Sequence, residues 1–320
     1  MAIATTVVNG LTLFAIYKDP LKCFRNPLAI FVTGVIAADF LTGLIGEPIM
    51  AAGIAHAWNT GNEIGIHVLI VGFVVGAITM TVSFLTLLAL AISQLLAIGW
   101  VRRYERCVTV LKAKLGIILI WVFTVIVSVA LAVFTHVIAV IVILILEVTL
   151  VTIALVILYL VSYCVFRSRV GRHGPGENKV VNKDFLKGTF LLVLVQIITV
   201  WPYVACTIVM PSLRVDNADA WVILEIVRAI TNILFITKFF VDPIILVWRL
   251  PIYRKSMKIV YASCLRRCGC GKWAAMEPDG RVAYNETRRE DFDDNSQENV
   301  DVESCGIWCY VANMAMLLTL

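Results

Sequence analysis

Charge is scarce in this chain. Only 15% of its 320 residues are Asp, Glu, Lys or Arg, whereas 60% are hydrophobic and the mean hydropathy is +0.91. A soluble domain of this length does not carry that balance. The composition therefore excludes an ordinary soluble protein and indicates an integral membrane protein.

Enzyme motifs are also absent from the sequence. It contains no Gly-rich phosphate loop and no His/Glu metal pair, and "GRHGPGENK" is typical of a Gly/Pro loop rather than a phosphate cradle. The cluster "CLRRCGC" has no His beside it, so a zinc site there is the less favoured alternative. We therefore expect no enzymatic activity, no metal site and no cofactor.

Long apolar runs dominate the sequence instead. A helix needs roughly 20 residues to cross a hydrocarbon core of about 30 Å. The first run is short and resembles a span without its outer half, as a fragment would show. The seven apolar segments lie approximately at 1–17, 28–55, 66–98, 115–135, 137–166, 188–211 and 219–248.

Basic residues predict the orientation of these segments. The stretches 18–27, 99–114, 167–187 and 249–272 together hold 21 of the 27 Lys and Arg residues. The positive-inside rule places them in the cytosol and the N-terminus outside. The net charge of +5 is then a topology signal, and we expect contact with lipid headgroups but not with nucleic acid. None of the nine cysteines lies in a predicted outer loop, so we expect no extracellular disulfide framework.

The chain changes character after the last span. We predict three regions: a membrane bundle at 1–248, an amphipathic helix with a basic Cys-rich segment at 249–272, and a cytoplasmic tail at 273–320. The amphipathic helix is predicted to lie on the inner leaflet. Residues 277–304 carry ten Asp and Glu residues and little apolar content, which predicts disorder. Three cysteines of the 249–272 segment are candidates for palmitoylation: Cys264, Cys268 and Cys270.

The order of several motifs resembles the rhodopsin-like G protein-coupled receptors over roughly residues 1–262. The resemblance implies an all-α membrane protein, a seven-transmembrane bundle with a short amphipathic inner helix and a first helix that is truncated here. The matching stretches are "VVNGLTLFAI" with Asn9, "VIAADFLTGLIGEP" with Asp39 and Pro48, "WNTG" with Trp58, "TVSFLTLLALAISQLLAI" with Ser83, "ILIWVF" with Trp121, "VWPY", and "DPIILVWRLPIYRK".

The sequence departs from this family at several motifs. Where the third helix usually ends in Asp/Glu-Arg-Tyr, it has Ser93, Gln94 and Leu95, the positions that the resemblance assigns to G protein contact. The seventh-helix Asn-Pro-x-x-Tyr becomes Asp242 followed by Pro-Ile-Ile-Leu, and Trp201 directly precedes its proline. The short second outer loop, the absent disulfide and the absent fifth-helix proline are similar to the melanocortin-receptor branch.

An internal polar pocket is the first candidate site. The resemblance puts Asp39, Ser83 and Asp242 where the family holds a sodium ion in its resting state. Lys238 stands one helical turn before Asp242, at a position the family fills with a small polar residue. A charge deep in a bundle is costly and usually functional. We therefore predict that the ammonium is an internal counter-ion to both carboxylates, the alternative being a lysine that snorkels to water.

A ligand site is the second candidate, in the outer half of the bundle. Residues 228, 231, 235, 238 and 242 recur at spacings of three and four, which is one helix face. Arg228 and Asn232 on this helix, Glu147 as an acidic partner across the cavity, and Tyr203 and Met80 between them are the predicted ligand-binding residues. For Arg228 the alternative is a solvated helix end.

The expected function is that of a receptor which transmits an extracellular signal across the plasma membrane. Its expected partners are an extracellular small molecule or peptide, a heterotrimeric G protein, arrestin and membrane lipids. The altered third-helix motif favours, as an alternative, a receptor-like decoy or scaffold that does not activate G proteins. A transporter is the third alternative, but the sequence has neither internal repeats nor a pair of interrupted helices.

Overall fold

The computed structural model describes the backbone of residues 1–60, 63–100, 104, 106–134, 137–170, 177–210, 218–248 and 251–267. Over these residues the secondary structure is helical, with no strand. The helices are α1 Ala2–Lys18, α2 Pro27–Leu41, α3 Glu47–Thr60, α4 Glu63–Gly99, α5 Val110–Phe134, α6 Val137–Val170, α7 Glu177–Val209, α8 Ala218–Trp248 and α9 Pro251–Arg267.

Six helical stretches are long and apolar enough to cross a membrane. They correspond to the second to seventh predicted segments, and α2 and α3 together form the first of the six. The 17-residue α1 is apolar but shorter than these spans. The prediction of an all-helical membrane protein is thus confirmed for the described residues, while the status of α1 as a seventh span stays a prediction.

A π turn at Thr42–Gly46 joins α2 to α3 within one span. Pro48 follows it closely and has no N–H to give to the carbonyl one turn earlier. A proline of this kind commonly produces a local widening or kink in a helix. The Thr42 hydroxyl donates to the Ala38 carbonyl at 3.0 Å, just before the widened turn, and the same carbonyl also accepts from the Thr42 backbone N–H.

Helix α4 is the centre of the bundle, since it packs against α2, α3, α5 and α6. Small residues permit some of these close approaches. A Cβ built on Gly72 would lie 2.8 Å from the backbone nitrogen of Met50, whereas one on Gly76 would meet nothing within 4 Å. Gly72 therefore allows α4 to lie directly on the α3 backbone.

The segment between α1 and α2 is held by its own side chains. The Asp19 carboxylate accepts from the backbone N–H groups of Cys23 at 2.9 Å and Phe24 at 3.2 Å. Asn26 caps α2 by accepting from the Ala29 N–H at 2.8 Å. Burial raises the pKa of the Cys23 thiol to about 11, so this cysteine is an uncharged thiol at neutral pH.

Helix α9 docks on this segment through one face. Tyr253 stacks on Phe24 with ring centroids 4.4 Å apart, and Met257 is fully buried, whereas Lys255 and Lys258 are exposed. This apolar and basic division is the pattern of a helix that lies along a membrane surface. Burial raises the pKa of Tyr253 to about 12, so its hydroxyl is neutral at physiological pH.

Parts of the predicted organisation lie outside the described residues. The tail at 273–320 lies outside them, and so do Cys268 and Cys270. Cys264 falls within the backbone of α9. The predicted loop at 167–187 is shorter than expected, because α6 continues to Val170 and α7 begins at Glu177.

Candidate functional site

A buried ion pair lies in the middle of the bundle. The Lys238 ammonium is 2.6 Å from an Asp242 carboxylate oxygen, and their side chains are 0% and 2% exposed. Both residues belong to α8, one helical turn apart. Lys238 also donates to the Ser83 hydroxyl of α4 at 3.4 Å, so the ammonium connects two helices. The side chain does not snorkel to the surface.

Asp39 of α2 faces the same ion pair. It is fully buried, and its electrostatic neighbours are Lys238, Asp242 and Ser83. Neither Asp39 carboxylate oxygen accepts a hydrogen bond of ordinary geometry from another described residue. An ammonium has three N–H groups, of which Lys238 gives one to Asp242 and one to Ser83. The structure thus brings together all four residues of the predicted polar pocket, with one cation facing two carboxylates.

Two phenylalanine rings enclose the ammonium. The Lys238 nitrogen lies 4.6 Å from the ring centroid of Phe84 and 4.6 Å from that of Phe239. Both rings are fully buried. Aromatic faces attract a cation, and the attraction grows when water is excluded. These rings were not predicted as site residues, although Phe84 directly follows Ser83 and Phe239 directly follows Lys238 in the sequence.

Asn9 connects α1 to this region. Its side-chain amide donates to the Thr5 carbonyl at 2.9 Å and to the Phe239 carbonyl of α8 at 3.0 Å. The residue is fully buried. The hydrogen bond across the two helices fixes the α8 backbone beside the residue that carries the ammonium.

A cavity of about 590 Å³ opens at the end of the bundle that is predicted to be extracellular. This volume is within the usual range of about 300–1,000 Å³ for small-molecule sites. Its described lining is largely apolar on the side of α3 to α6 and polar on the side of α7 and α8. The lining residues are Met50, Ile54, Ile70, Phe73, Val74, Ala132, Val140, Ile141, Tyr203, Glu225, Arg228, Ala229 and Asn232.

Three of the five predicted ligand-binding residues line this cavity: Tyr203, Arg228 and Asn232. The other two, Glu147 and Met80, are half-buried and are not among its described lining residues. Glu147 accepts a hydrogen bond from the Thr81 hydroxyl at 3.0 Å. The acidic partner of Arg228 is instead Glu225, one turn away on the same helix and 2.6 Å from the guanidinium. Local i,i+3 geometry therefore supplies the partner that was expected from across the bundle.

Aromatic contacts connect the cavity to the ion pair. Tyr203 stacks on Phe235 with ring centroids 4.7 Å apart, and Phe235 meets Phe239 edge to face at 5.7 Å. Phe235 also contacts Phe84 at 6.5 Å. A continuous series of packed rings therefore runs from the cavity lining to the ammonium of Lys238.

Trp201 is not part of this aromatic series. It is 41% exposed, whereas the preceding Val200 is 1% exposed. The tryptophan therefore lies on the outer side of α7, beside Pro202 in the helix interior. The one-residue shift noted in "VWPY" has a structural consequence, because adjacent helical residues point about 100° apart.

Neutral hydrogen bonds join the helices nearer the predicted cytosolic end. The Thr189 hydroxyl of α7 donates to the side-chain carbonyl of Gln94 on α4, and both residues are buried. The Gln94 amide nitrogen is buried and has no hydrogen-bond partner among the described residues. Gln196 of α7 donates to Thr152 of α6 at 3.4 Å. Gln94 therefore makes a specific interhelical contact that the sequence did not reveal.

Comparison with known families supports the sequence resemblance. Residues 8–139 match the family described as 7 transmembrane receptor (rhodopsin family). This segment is less than half of the chain and includes Asn9, Asp39, Ser83 and Gln94, whereas Lys238 lies beyond it. The match indicates a receptor rather than an enzyme. Together with the six span-length helices, it supports a protein that crosses the plasma membrane several times.

Proposed function

We propose that the chain is a rhodopsin-like receptor which converts the binding of an extracellular ligand into a rearrangement at its cytosolic end. The observation that carries this proposal is the family match over residues 8–139, which spans the polar residues of α1, α2 and α4. The N-terminus is outside and the C-terminus cytoplasmic, in accord with the distribution of Lys and Arg.

The ligand occupies the cavity lined by Tyr203, Arg228 and Asn232. Glu147 and Met80 do not belong to its described lining and shape it indirectly, through their neighbours. Their positions support such a role, because Glu147 holds Thr81 on α4 and Met80 packs on the apolar cluster that contains Phe235. A ligand that contacts Tyr203 presses on the series of rings that ends at Lys238.

Lys238 acts as the internal counter-ion of the bundle. In the related receptors a sodium ion balances the second-helix carboxylate, and here a covalently attached ammonium takes that role. Its 2.6 Å contact with Asp242, its hydrogen bond to Ser83 and its position beside Asp39 support this assignment. A tethered cation cannot diffuse away, so the resting state does not depend on the external sodium concentration.

The signal reaches the cytosol through a change in the packing of α7 against α4. Pro202 lies within α7 between the cavity and Thr189, and a helix-interior proline weakens the local hydrogen-bond ladder. A ligand that favours the rearranged state shifts the equilibrium by its differential affinity for the two states. Rearrangement breaks the contact between Thr189 and Gln94 and exposes residues 93–95 to a heterotrimeric G protein.

Coupling to the G protein is expected to be weak. Ser93 and Gln94 cannot form the ion pair that Asp/Glu and Arg form in related receptors, and Leu246 replaces the seventh-helix tyrosine. Gln94 retains a neutral amide donor, but it lacks the charge that strengthens such a contact. This observation favours the second candidate function, a receptor-like scaffold or decoy that binds partners without activating a G protein.

The test is a G protein activation assay in cells. Basal activity of the native chain and of the Ser93→Asp, Gln94→Arg double variant is measured on a G protein panel at matched surface expression, followed by a ligand panel. We expect weak activation by the native chain and partial recovery in the double variant. Robust native activation contradicts the weak-coupling proposal and leaves ordinary receptor signalling. Ligand binding without activation by either form supports the scaffold.

A further inference from the structure

The cavity divides into two chemically different walls. Nine of its described lining residues are apolar, and those of α3 to α6 are all of this kind. Among the described lining residues, the polar groups come from α7 and α8: Tyr203, Glu225, Arg228 and Asn232. A ligand that satisfies both walls has an extended apolar body and one polar head.

Hydrogen-bond donors predominate in the polar wall. Arg228 has five N–H groups and no acceptor, and the tyrosine hydroxyl and the asparagine amide each supply further donors. Glu225 is the acidic group of the wall, and its carboxylate is already engaged by the Arg228 guanidinium at 2.6 Å. An acceptor-rich head therefore matches this wall better than an ammonium does.

Both charges of the ion pair keep exposed surface, and the larger exposed fraction belongs to Arg228. The Arg228 side chain is 64% exposed, compared with 46% for Glu225. Arg228 also lies within electrostatic range of Tyr203 on the facing helix α7. Because a planar guanidinium can bind a second carboxylate through its remaining N–H groups, an anionic head can join the pair without displacing Glu225.

We propose that the ligand is a single-chain amphiphile with a carboxylate head, which the Arg228 guanidinium binds while the apolar chain lies along α3 to α6. This inference rests on the proposed function, since it assigns a chemical class to the ligand of that cavity. The head sits above Tyr203, at the start of the series of rings that leads to Lys238.

The experiment uses oleate, oleyl alcohol and oleylamine, which share one apolar chain and differ in the head. Full-length protein in phosphatidylcholine nanodiscs is titrated with radiolabelled oleate, with the other two as competitors. We expect saturable oleate binding and at least ten-fold weaker competition by the alcohol and the amine. Absence of saturable binding, or stronger competition by oleylamine, overturns the assignment of a carboxylate ligand.

Variants separate the head-group contact from the cavity. Arg228→Met should weaken oleate binding at least ten-fold, Arg228→Lys should recover part of it, and Arg254→Met, which alters an exposed arginine of α9, should leave it unchanged. Unchanged binding in Arg228→Met overturns the proposed contact. If Arg228→Met does not fold, competition among oleate, oleyl alcohol and oleylamine on the native protein tests whether the cavity selects a carboxylate.

A cavity-filling variant distinguishes the proposed location of the ligand site from the proposed chemical class of the ligand. Ala229→Trp places a large ring in the cavity and should reduce the binding of every probe. Reduced binding without head-group selectivity overturns the ligand class but keeps the cavity as the ligand site. Unchanged binding in Ala229→Trp overturns the ligand site of the proposed function as well.

Discussion

Replacement of Lys238 by methionine tests the buried ion pair through its effect on stability. Methionine has a similar length but no charge, so Lys238→Met leaves Asp39 and Asp242 as two buried carboxylates without a cation. Removing one partner of a buried ion pair costs about 3–5 kcal/mol, because the remaining charge is left uncompensated. The intact pair itself contributes much less, since desolvation offsets most of its attraction. A large loss of stability is therefore expected only when one partner of the ion pair is removed and the other stays.

A double-mutant cycle of Lys238→Met, Asp242→Asn and the double variant separates these two terms. Lys238→Met combined with Asp242→Asn removes both charges of the pair, and we expect it to be more stable than Lys238→Met alone. Contacting residues typically show coupling energies of about 0.5–3 kcal/mol. Lys255→Met alters an exposed lysine of α9 and should change stability by no more than about 0.5 kcal/mol.

The assay is thermal unfolding of the purified full-length protein, together with its folded yield. The expected order of unfolding temperature is native and Lys255→Met highest, then the double variant, then Lys238→Met. A Lys238→Met protein as stable as Lys255→Met would mean that the two carboxylates do not need this cation, contrary to the proposed counter-ion role.

Three further predictions concern other parts of the molecule. Thr189→Val removes the donor to Gln94, and we expect a loss of about 1 kcal/mol and faster amide hydrogen exchange at the cytosolic end of α7; unchanged exchange would contradict this contact. Gly72→Ala forces a Cβ against the Met50 backbone and should cost about 1–3 kcal/mol, whereas Gly76→Ala on the same helix should be tolerated; equal unfolding temperatures would contradict the close approach. Metabolic palmitate labelling should vanish when Cys264, Cys268 and Cys270 are all replaced by serine, and persistent labelling would locate the lipid elsewhere.

The spans could be predicted from sequence because hydrophobic length alone determines them. Each predicted segment from the second to the seventh falls within or close to a described helical span, with the ends shifted where helices extend into polar sequence. The π turn was not predicted, since it depends on how a backbone accommodates Pro48. Helix α7 begins earlier than predicted. Its first residues, "ENKVVNKDFLK", are polar, so the apolar pattern that predicted the spans did not include them.

The polar pocket was predictable because the family resemblance places Asp39, Ser83 and Asp242 in it, and because a charge deep in an apolar bundle is costly and usually functional. Lys238 and Asp242 are four residues apart, a spacing that places them on one face of α8. The Phe84 and Phe239 rings carry no comparable signal, since an aromatic residue in an apolar run is ordinary. Their role became evident only from the 4.6 Å contacts with the ammonium.

Interhelical partners were less predictable. We predicted Glu147 as the acidic partner of Arg228 across the cavity because it is the lone acidic residue of an apolar stretch, but the nearer Glu225 forms the ion pair. The contact between Thr189 and Gln94 joins residues that are 95 positions apart in the sequence, and neither residue type indicates which partner it binds. Such contacts depend on the rotation of each helix, which a hydrophobic pattern specifies poorly when a helix is apolar on all sides.

The central claim is that Lys238 takes the place of the cation which related receptors bind from solution. It is tested most directly by thermal unfolding of the purified native protein in sodium chloride and in choline chloride at equal ionic strength. We expect the same unfolding temperature in both salts for the native protein, and sodium-specific stabilisation in Lys238→Ala if that variant folds. Sodium-specific stabilisation of the native protein would contradict the claim.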